Sequence, residues 1–553
     1  MAFQLSPGVN VSEVDLTTVV PSVATTVGGI AGEFSWGPAN TIVTISNEVQ
    51  LVDRFGKPDA NSASAFFVAA NFLAYGSDLR VVRAVGTGAL NASVAGSPAL
   101  IENEDDYNQN HSANSSAVFY AKYAGELGNS IKVSVADGNT FTGWAYSGDF
   151  DSTPATSTWA SGRGSSNDEL HIVVIDTTGK ISGTANSILE KFGYVSKASD
   201  AKNADGSSNY YKDVINNKSK YLWWAGHLAA NWGTASSGGF SYTQMAANLT
   251  STLTGGVDAS PNPGQVNNAY DKFANADSVD VSLLMAGATS GTTTANHLIS
   301  LAESRKDCLV FVSPDREDVV DNYGDEATDV AAAAAALTKS SYAVMDSGYK
   351  YQYDKYNDVY RWIPLNGDIA GLCVRTDVER DPWFSPAGLN RGVIKNVVKL
   401  AWNPSKADRD TIYKAGVNPV VTFPGEGTIL YGDKTLLNRP SAFDRINVRR
   451  LFIVLEKSIS KAARSSLFEF NDEFTRAAFV NIVEPYLREV QGRRGIFDYR
   501  VVCDTTNNTA EVIDQNQFVG DIYIKPARSI NFIQLNFTAV RTGVEFSEIV
   551  GRV

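Results

Sequence analysis

Residues 366–392 read NGDIAGLCVRTDVERDPWFSPAGLNRG. Gly and Pro are dense here, which predicts backbone turns. The same stretch carries Trp383 and Phe384, large rings that normally belong in cores. Its charges, Arg375, Asp377, Glu379, Arg380 and Asp381, are spaced rather than clustered. The mixture predicts a tightly specified junction in which turns are pinned by buried rings and paired charges.

Working outward, 553 residues exceed one ordinary core, so about two to four domains are expected. The 43% hydrophobic content is that of a globular protein. Leu451 to Leu455 is about the longest strongly apolar run, far short of the roughly 18–20 residues of a membrane span. The start, MAFQLSPGVNVSEVD, has neither a basic beginning nor an apolar centre, which predicts synthesis in the cytosol without a signal peptide. Cys308, Cys373 and Cys503 are far apart and form no CxxC pair, so buried reduced thiols are expected. The net charge of −13 is uneven: from Asp444 onward 15 Lys/Arg face 14 Asp/Glu, so the acidity lies almost entirely before that point. No basic stripe stands out, which argues against nucleic acid as a partner. A balanced C-terminal part suits contacts with protein.

The first 20 residues place Val9, Val11, Val14 and Leu16 among polar neighbours after Pro7-Gly8, the pattern of a short extended arm. Too short to make a sheet alone, it must add to one elsewhere. Helical spacing follows at Phe66, Phe67, Ala70 and Leu73, and Leu79 to Val85 reads as a strand. From about Gly86 to Asp258 Ser, Thr, Asn and Gly become frequent and 16 acidic residues face 10 basic ones, the texture of a solvent-facing insertion. Regular α/β texture resumes with strands at Val279 to Met285 and Leu309 to Val312, a helix over Ala295 to Ser304, and another from about Thr328 containing the run Ala331 to Ala336. Ser405 and Gly416 bracket a further helix. Stripes at Val448, Leu451, Phe452, Leu455, Ile459 and at Phe474, Ala478, Ile482, Tyr486, Val490 predict two more, the second capped by Asn471 and kinked by Pro485. Ile533, Leu535, Phe537 and Ala539 alternate with polar neighbours as a half-buried strand.

No reactive constellation emerges. His111, His171, His227 and His297 are scattered without metal-binding spacing. Gly86-Thr87-Gly88 imitates a dinucleotide loop, but Asn91 stands at the third glycine position and no amphipathic helix follows. The acidic run Glu102 to Asp106 lacks the central glycine and alternating ligands of a calcium loop. No enzyme, cofactor or metal is therefore expected, and the charges of residues 375–381 read as structural ion pairs. The insertion's Trp144, Trp159, Trp223, Trp224 and Trp232 leave a glycan-binding adhesive module as an alternative, against an ordinary aromatic core.

The opening block resembles the signature of contractile tail sheath proteins of T4-like bacteriophages, AG-x-RTD-x-ER-x-PW-x-PAGLNRG. So do Tyr349 to Asp358, the LTGGVD at 253–258, the GVNP at 416–419, the FPG at 423–425, the GDKTL at 432–436 and the INVRRL at 446–451. Residues 468–472, FEFND, are similar to the family's FEPND, with Phe470 where proline is usual. The resemblance implies an α+β / α/β multidomain fold: a discontinuous C-terminal α/β core joined by N- and C-terminal arms, a middle α/β domain and a β-rich outer insertion. On this reading residues 1–22 are the N-terminal arm packing with the C-terminal core, 23–86 and 261–380 the two parts of the middle domain, and 87–260 the outer insertion. Residues 381–530 are the C-terminal sheath core and 531–553 the C-terminal strand and arm. It also implies a subunit that polymerises with itself as hexameric rings in a helical lattice, with a tail tube protein, baseplate and tail terminator as partners. Neither nucleic acid binding nor direct membrane insertion is implied. The location is the virion tail, after assembly in the host cytoplasm. The eight arm residues, Val9 to Leu16 and Ile533 to Ala539, are then the subunit-linking segments, and Arg375, Asp377, Arg380, Trp383, Pro386 and Gly388 the structural signature. A phage-like bacteriocin or another contractile injection machine remains the nearest alternative.

Overall fold

The computed structural model describes residues 23–531 except 95, 113–116, 289–290 and 438, together with residue 534. Residues up to Phe470 form one compact unit and those from Asn471 a second.

The first unit is organised by a seven-stranded sheet in the order Val417–Asn418, Ala343–Asp346, Leu309–Val312, Leu283–Met285, Gly28–Gly32, Leu79–Arg83, Ile42–Ile45. The first six run parallel and the last is antiparallel. Strands reading LLM, LVFV and AVMD are buried at every residue, as expected for parallel strands covered on both faces. One face packs under helices Ala63–Leu73 and Asn366–Glu379, with Phe66, Phe72, Ile369 and Leu372 meeting Ile30, Leu283 and Met285. The other lies under Pro263–Tyr270, Thr293–Arg305, Glu326–Ala336 and Lys406–Ala415, with Tyr270, Leu298, Ala334 and Ile412 against Leu284, Val310 and Ala343. Ser405 caps the last of these helices and Gly416 closes it in the left-handed region, as the sequence predicts.

The opening block departs from its expected form. Residues Asn366–Glu379 are a 14-residue helix, not a series of turns. The misreading comes from the two meanings of glycine. Gly367 and Gly371 lie four apart on one helical face, against helix Ala63–Leu73 and Tyr75. A Cβ on Gly367 would stand 2.5 Å from the Val68 carbonyl oxygen, and one on Gly371 would overlap the Tyr75 ring. These glycines permit close packing rather than turning. Gly371→Ala is accordingly expected to destabilise the protein by about 1–3 kcal/mol through overpacking, read as a lower denaturation midpoint with an unchanged slope.

The chain leaves the sheet after Leu79–Arg83 and rejoins it at Leu283–Met285. Between them, Leu249–Thr252, Ile131–Asp137, Glu169–Asp176 and Ser187–Ser196 make a four-stranded antiparallel sheet. Ser93–Val94, Phe119–Ala121 and Leu222–Trp224 make a three-stranded one. At its neck, Arg83 is fully buried and donates to the carbonyl oxygens of Phe34, Gly37 and Ala124, joining insertion to sheet. Trp144, Trp223, Trp224 and Trp232 are core residues, and the Trp159 ring lies 3.4 Å beneath the Arg163 guanidinium. The four buried rings offer no face to a sugar, which removes the motive for a glycan-binding reading.

In the second unit, helix Glu473–Gly492 lies against an antiparallel pair, Ile496–Val502 with Asp521–Pro526. Its cap is Asp472, whose side chain accepts from the Thr475 N–H, instead of Asn471. Its buried face is Phe479, Val483, Leu487 and Val490, one position on from most of the predicted stripe, and Phe474 is exposed. Both stripes have helical period; alanine and tyrosine at 478 and 486 tolerate partial exposure, so periodicity alone did not choose between them. The helix continues through Pro485.

Candidate functional site at the Asp377–Arg450 junction

Helix Ile446–Ala463 begins in the INVRRL segment and has Val448, Leu451 and Leu455 in its buried stripe, as predicted. The same helix buries Asn447, Arg449 and Arg450, which apolar periodicity does not flag. Arg450 reaches the last turn of Asn366–Glu379, where its Nη2 donates to Asp377 Oδ2 at 2.6 Å; its Nη1 lies 3.4 Å from the Cys373 carbonyl oxygen. Both side chains are about 5% exposed or less. Burial would lower the Arg450 pKa, but the Asp377 carboxylate outweighs that and holds it above the usual value. The Asp377 oxygen takes a second donor, Thr25 Oγ1 at 2.7 Å. One carboxylate thus joins three segments that are far apart in sequence: the chain just after residues 1–22, the signature helix and the INVRRL helix.

The remaining signature residues divide. Arg375 pairs with Glu379 at 2.7 Å, one helical turn on and substantially exposed, a contact worth only a few tenths of a kcal/mol. Arg380 is exposed, beyond the helix end. Trp383 is buried, and its carbonyl oxygen accepts from Asn447 Nδ2 at 3.3 Å. Pro386 is buried. Gly388 has φ +94°, a conformation that disfavours a side chain, and its N–H donates to the Leu430 carbonyl oxygen at 2.9 Å. The block therefore splits into a buried helix and a true turn segment stitched to strand Gly427–Leu430.

At the helix's other end, Lys350 Nζ lies 2.9 Å from both oxygens of the Asp368 carboxylate, with both side chains essentially inaccessible. It also donates to the Lys395 carbonyl oxygen at 2.9 Å, while Tyr75 donates to Asp368 at 3.3 Å. Burial pushes Asp368 upward and Lys350 downward, and their mutual attraction opposes both shifts. Nearby, Asp346 is pushed up to about 8 by complete burial, against bonds from the Gly348 N–H and Ser313. Burial likewise raises the Cys373 thiol to about 11, so it is inert as a nucleophile. All three cysteines are buried and free. Among the described residues no group of three or more His, Cys, Asp or Glu side chains is placed to hold a metal ion.

Val9, Val11, Val14 and Leu16 lie outside the described residues, as do Ile533, Leu535, Phe537 and Ala539. Thr25 gave no sequence signal: it is one threonine in a Ser/Thr-rich segment. Arg450 was visible only as part of a motif, because an arginine on an otherwise apolar face reads as an interruption until its partner is known.

Residues 264–436 match the family described as "Phage tail sheath protein central domain", 438–539 "Phage tail sheath C-terminal domain", and 25–84 "Tail sheath protein Gp18 domain III N-terminal region". The chain belongs to the phage tail sheath family. It is 35% identical to the tail sheath protein of Enterobacteria phage T4, covering 99% of each chain. It is also 33% identical to that of Vibrio phage KVP40, covering 99% of this chain and 100% of that one. In fold it is similar to the sheath tail protein of Listeria innocua, with a TM-score of 0.53 at 12% identity over 92% of this chain and 97% of that one. These relatives are structural proteins of tails, and no enzyme family is indicated.

Proposed function

We propose that this chain is the repeating subunit of a contractile tail sheath. It stacks as hexameric rings around the tail tube and shortens to drive the tube through the host envelope. The observation that carries this is the 35% identity to the T4 tail sheath protein in an alignment that runs through 99% of each chain. Its partners are other copies of itself, the tube protein, the baseplate and the tail terminator; it is assembled in the host cytoplasm and resides in the virion tail. We assign residues 23–86 and 261–380 to a middle domain, 87–260 to an outer insertion and 381–530 to the C-terminal core, with arms at 1–22 and 531–553.

Neighbouring copies are linked when Val9 to Leu16 and Ile533 to Ala539 add as strands to a sheet of the next subunit. The pair Ile496–Val502 and Asp521–Pro526 supports this reading, because among the described residues neither strand has a second neighbour. An open strand edge presents unpaired N–H and C=O groups, and an added strand satisfies them while alternate side chains fill pockets. Large exposed apolar side chains, Phe468 and Phe470 in the first unit and Phe497 and Tyr523 in the second, also suit surfaces that other copies cover. The buried Asp377–Arg450 and Lys350–Asp368 pairs would keep the first unit rigid while the arms bend. Contraction then needs no nucleotide, since polymerisation into the extended lattice stores the energy. Electron microscopy of the purified protein tests the proposal. Hollow striated tubes are expected; discrete globules under all assembly conditions would defeat it.

A further inference from the structure

The Asp377–Arg450 pair has a third participant that a purely structural ion pair does not need. Thr25 donates to the same carboxylate oxygen at 2.7 Å, and Thr25 stands three residues beyond residue 22. Ser282 Oγ donates to the Ala24 carbonyl oxygen at 3.0 Å. Lys457 Nζ lies 3.4 Å from that same oxygen and bonds to the Asp280 carboxylate. Arg450 and Lys457 are seven apart on helix Ile446–Ala463, two turns along one face. The N–H groups of Ser282 and Leu283 then donate to the Val27 carbonyl oxygen, at 2.9 and 3.1 Å. Gly28 next enters the centre of the seven-stranded sheet, paired with Leu283 and Leu79.

The strand that follows is an interior strand of the sheet. Gly28–Gly32 has a neighbour on both sides and is buried throughout. A pull on its N-terminal end, unopposed, would load its hydrogen bonds to both neighbouring strands. A charge-assisted hydrogen bond just before the strand puts the load first on two helices instead. We infer that Asp377, Arg450 and Lys457 form an anchor for the root of the N-terminal arm, passing tension from a neighbouring subunit into helices Asn366–Glu379 and Ile446–Ala463 rather than into the central strand. The inference rests on the tether reading of residues 1–22. It gives the signature aspartate and the second arginine of INVRRL one shared mechanical role, in which Thr25 is the coupling residue.

The test is Thr25→Val in the full-length protein, with Thr25→Ser as the rescue and Lys457→Gln as a second, independent weakening of the root. Thr25 is only partly buried, and valine keeps its shape without the donor. In the monomer, amide hydrogen exchange at Gly28, Ser282 and Leu283, whose N–H groups bond to the Asp78 and Val27 carbonyl oxygens, should accelerate about tenfold in Thr25→Val and Lys457→Gln, with the melting temperature lowered by no more than a few degrees. Polymers of both variants, sheared by sonication and sized by electron microscopy, should break several-fold faster than those of wild type and Thr25→Ser. Unchanged exchange at the root, or Thr25→Val polymers as shear-resistant as wild type, would overturn the anchor. A chain lacking residues 1–19, run in parallel, separates the two ideas. If the truncated chain forms normal polymers, the tether itself is wrong and the anchor has nothing to hold. If truncation abolishes polymers while Thr25→Val polymers resist shear normally, only the anchor fails.

Discussion

A chain lacking residues 1–19 is expected to be a folded, soluble monomer that forms no sheath. Among the described residues, the contacts that fix the start of the fold lie beyond the deletion. The first buried strand begins at Gly28, and the bonds of Ala24, Thr25 and Val27 to Ser282, Leu283, Asp377 and Lys457 all lie beyond the deletion. The melting temperature should therefore stay within a few degrees of the full-length monomer's. Assembly has no such reserve. Fully extended, 19 residues span about 60–70 Å, enough to cross onto a neighbour. Even a few net hydrogen bonds at about 0.5–1.5 kcal/mol each, repeated at every subunit, decide whether a lattice persists. Linked contacts also raise the effective concentration of the weaker faces between subunit bodies, so losing the link weakens contacts the arm never touches. Sedimentation velocity should give a single monomer boundary at concentrations where the full chain makes tubes. Tubes of normal length from the truncated chain would mean that body-to-body faces alone hold the sheath.

Much of this was legible in the sequence, and the misses have specific physical causes. Alternation and apolar runs located the strands, because burial on both faces leaves little freedom in residue choice: Leu309 to Val312 was placed to the residue. Helix Lys406–Ala415 was legible because both its ends carry capping chemistry, serine before and glycine after. Helix Asn366–Glu379 was not, because Gly367 and Gly371 signal turns to a local reading, and only the approach of Val68 and Tyr75 gives them another purpose. The face of Glu473–Gly492 was misjudged by one position because both candidate stripes contain enough apolar residues to pass. At the junction, Asp377 and Trp383 were singled out from the block itself, whereas Thr25 and Arg450 are separated from Asp377 by 352 and 73 positions. Periodicity carries no information about pairings at that distance.

Lys350→Met should destabilise the first unit by about 3–5 kcal/mol, among the largest effects a single substitution produces. The reason is an asymmetry between breaking a buried pair and replacing it. Asp368 is wholly buried, and Lys350 is the one cation the structure places on its carboxylate among the described residues. With methionine at 350 the carboxylate keeps only the Tyr75 hydroxyl at 3.3 Å. It must then either remain charged in a low-dielectric site or take up a proton, and each costs free energy at neutral pH. The Lys395 carbonyl oxygen loses its donor as well. Because Asp368 lies in the first turn of the helix whose last turn carries Asp377, the loss should also loosen the Arg450 contact, visible as faster hydrogen exchange along residues 366–379. The double variant Lys350→Met/Asp368→Leu removes both charges and should recover most of the lost stability, since an apolar pair of similar volume has no desolvation cost. The sign of the coupling is therefore the decisive quantity. Denaturant unfolding of wild type, both single variants and the double should give single losses whose sum far exceeds the double's. Additive losses would mean that the two groups are not charged together in the folded protein, and the pair could not then be a source of the subunit's rigidity.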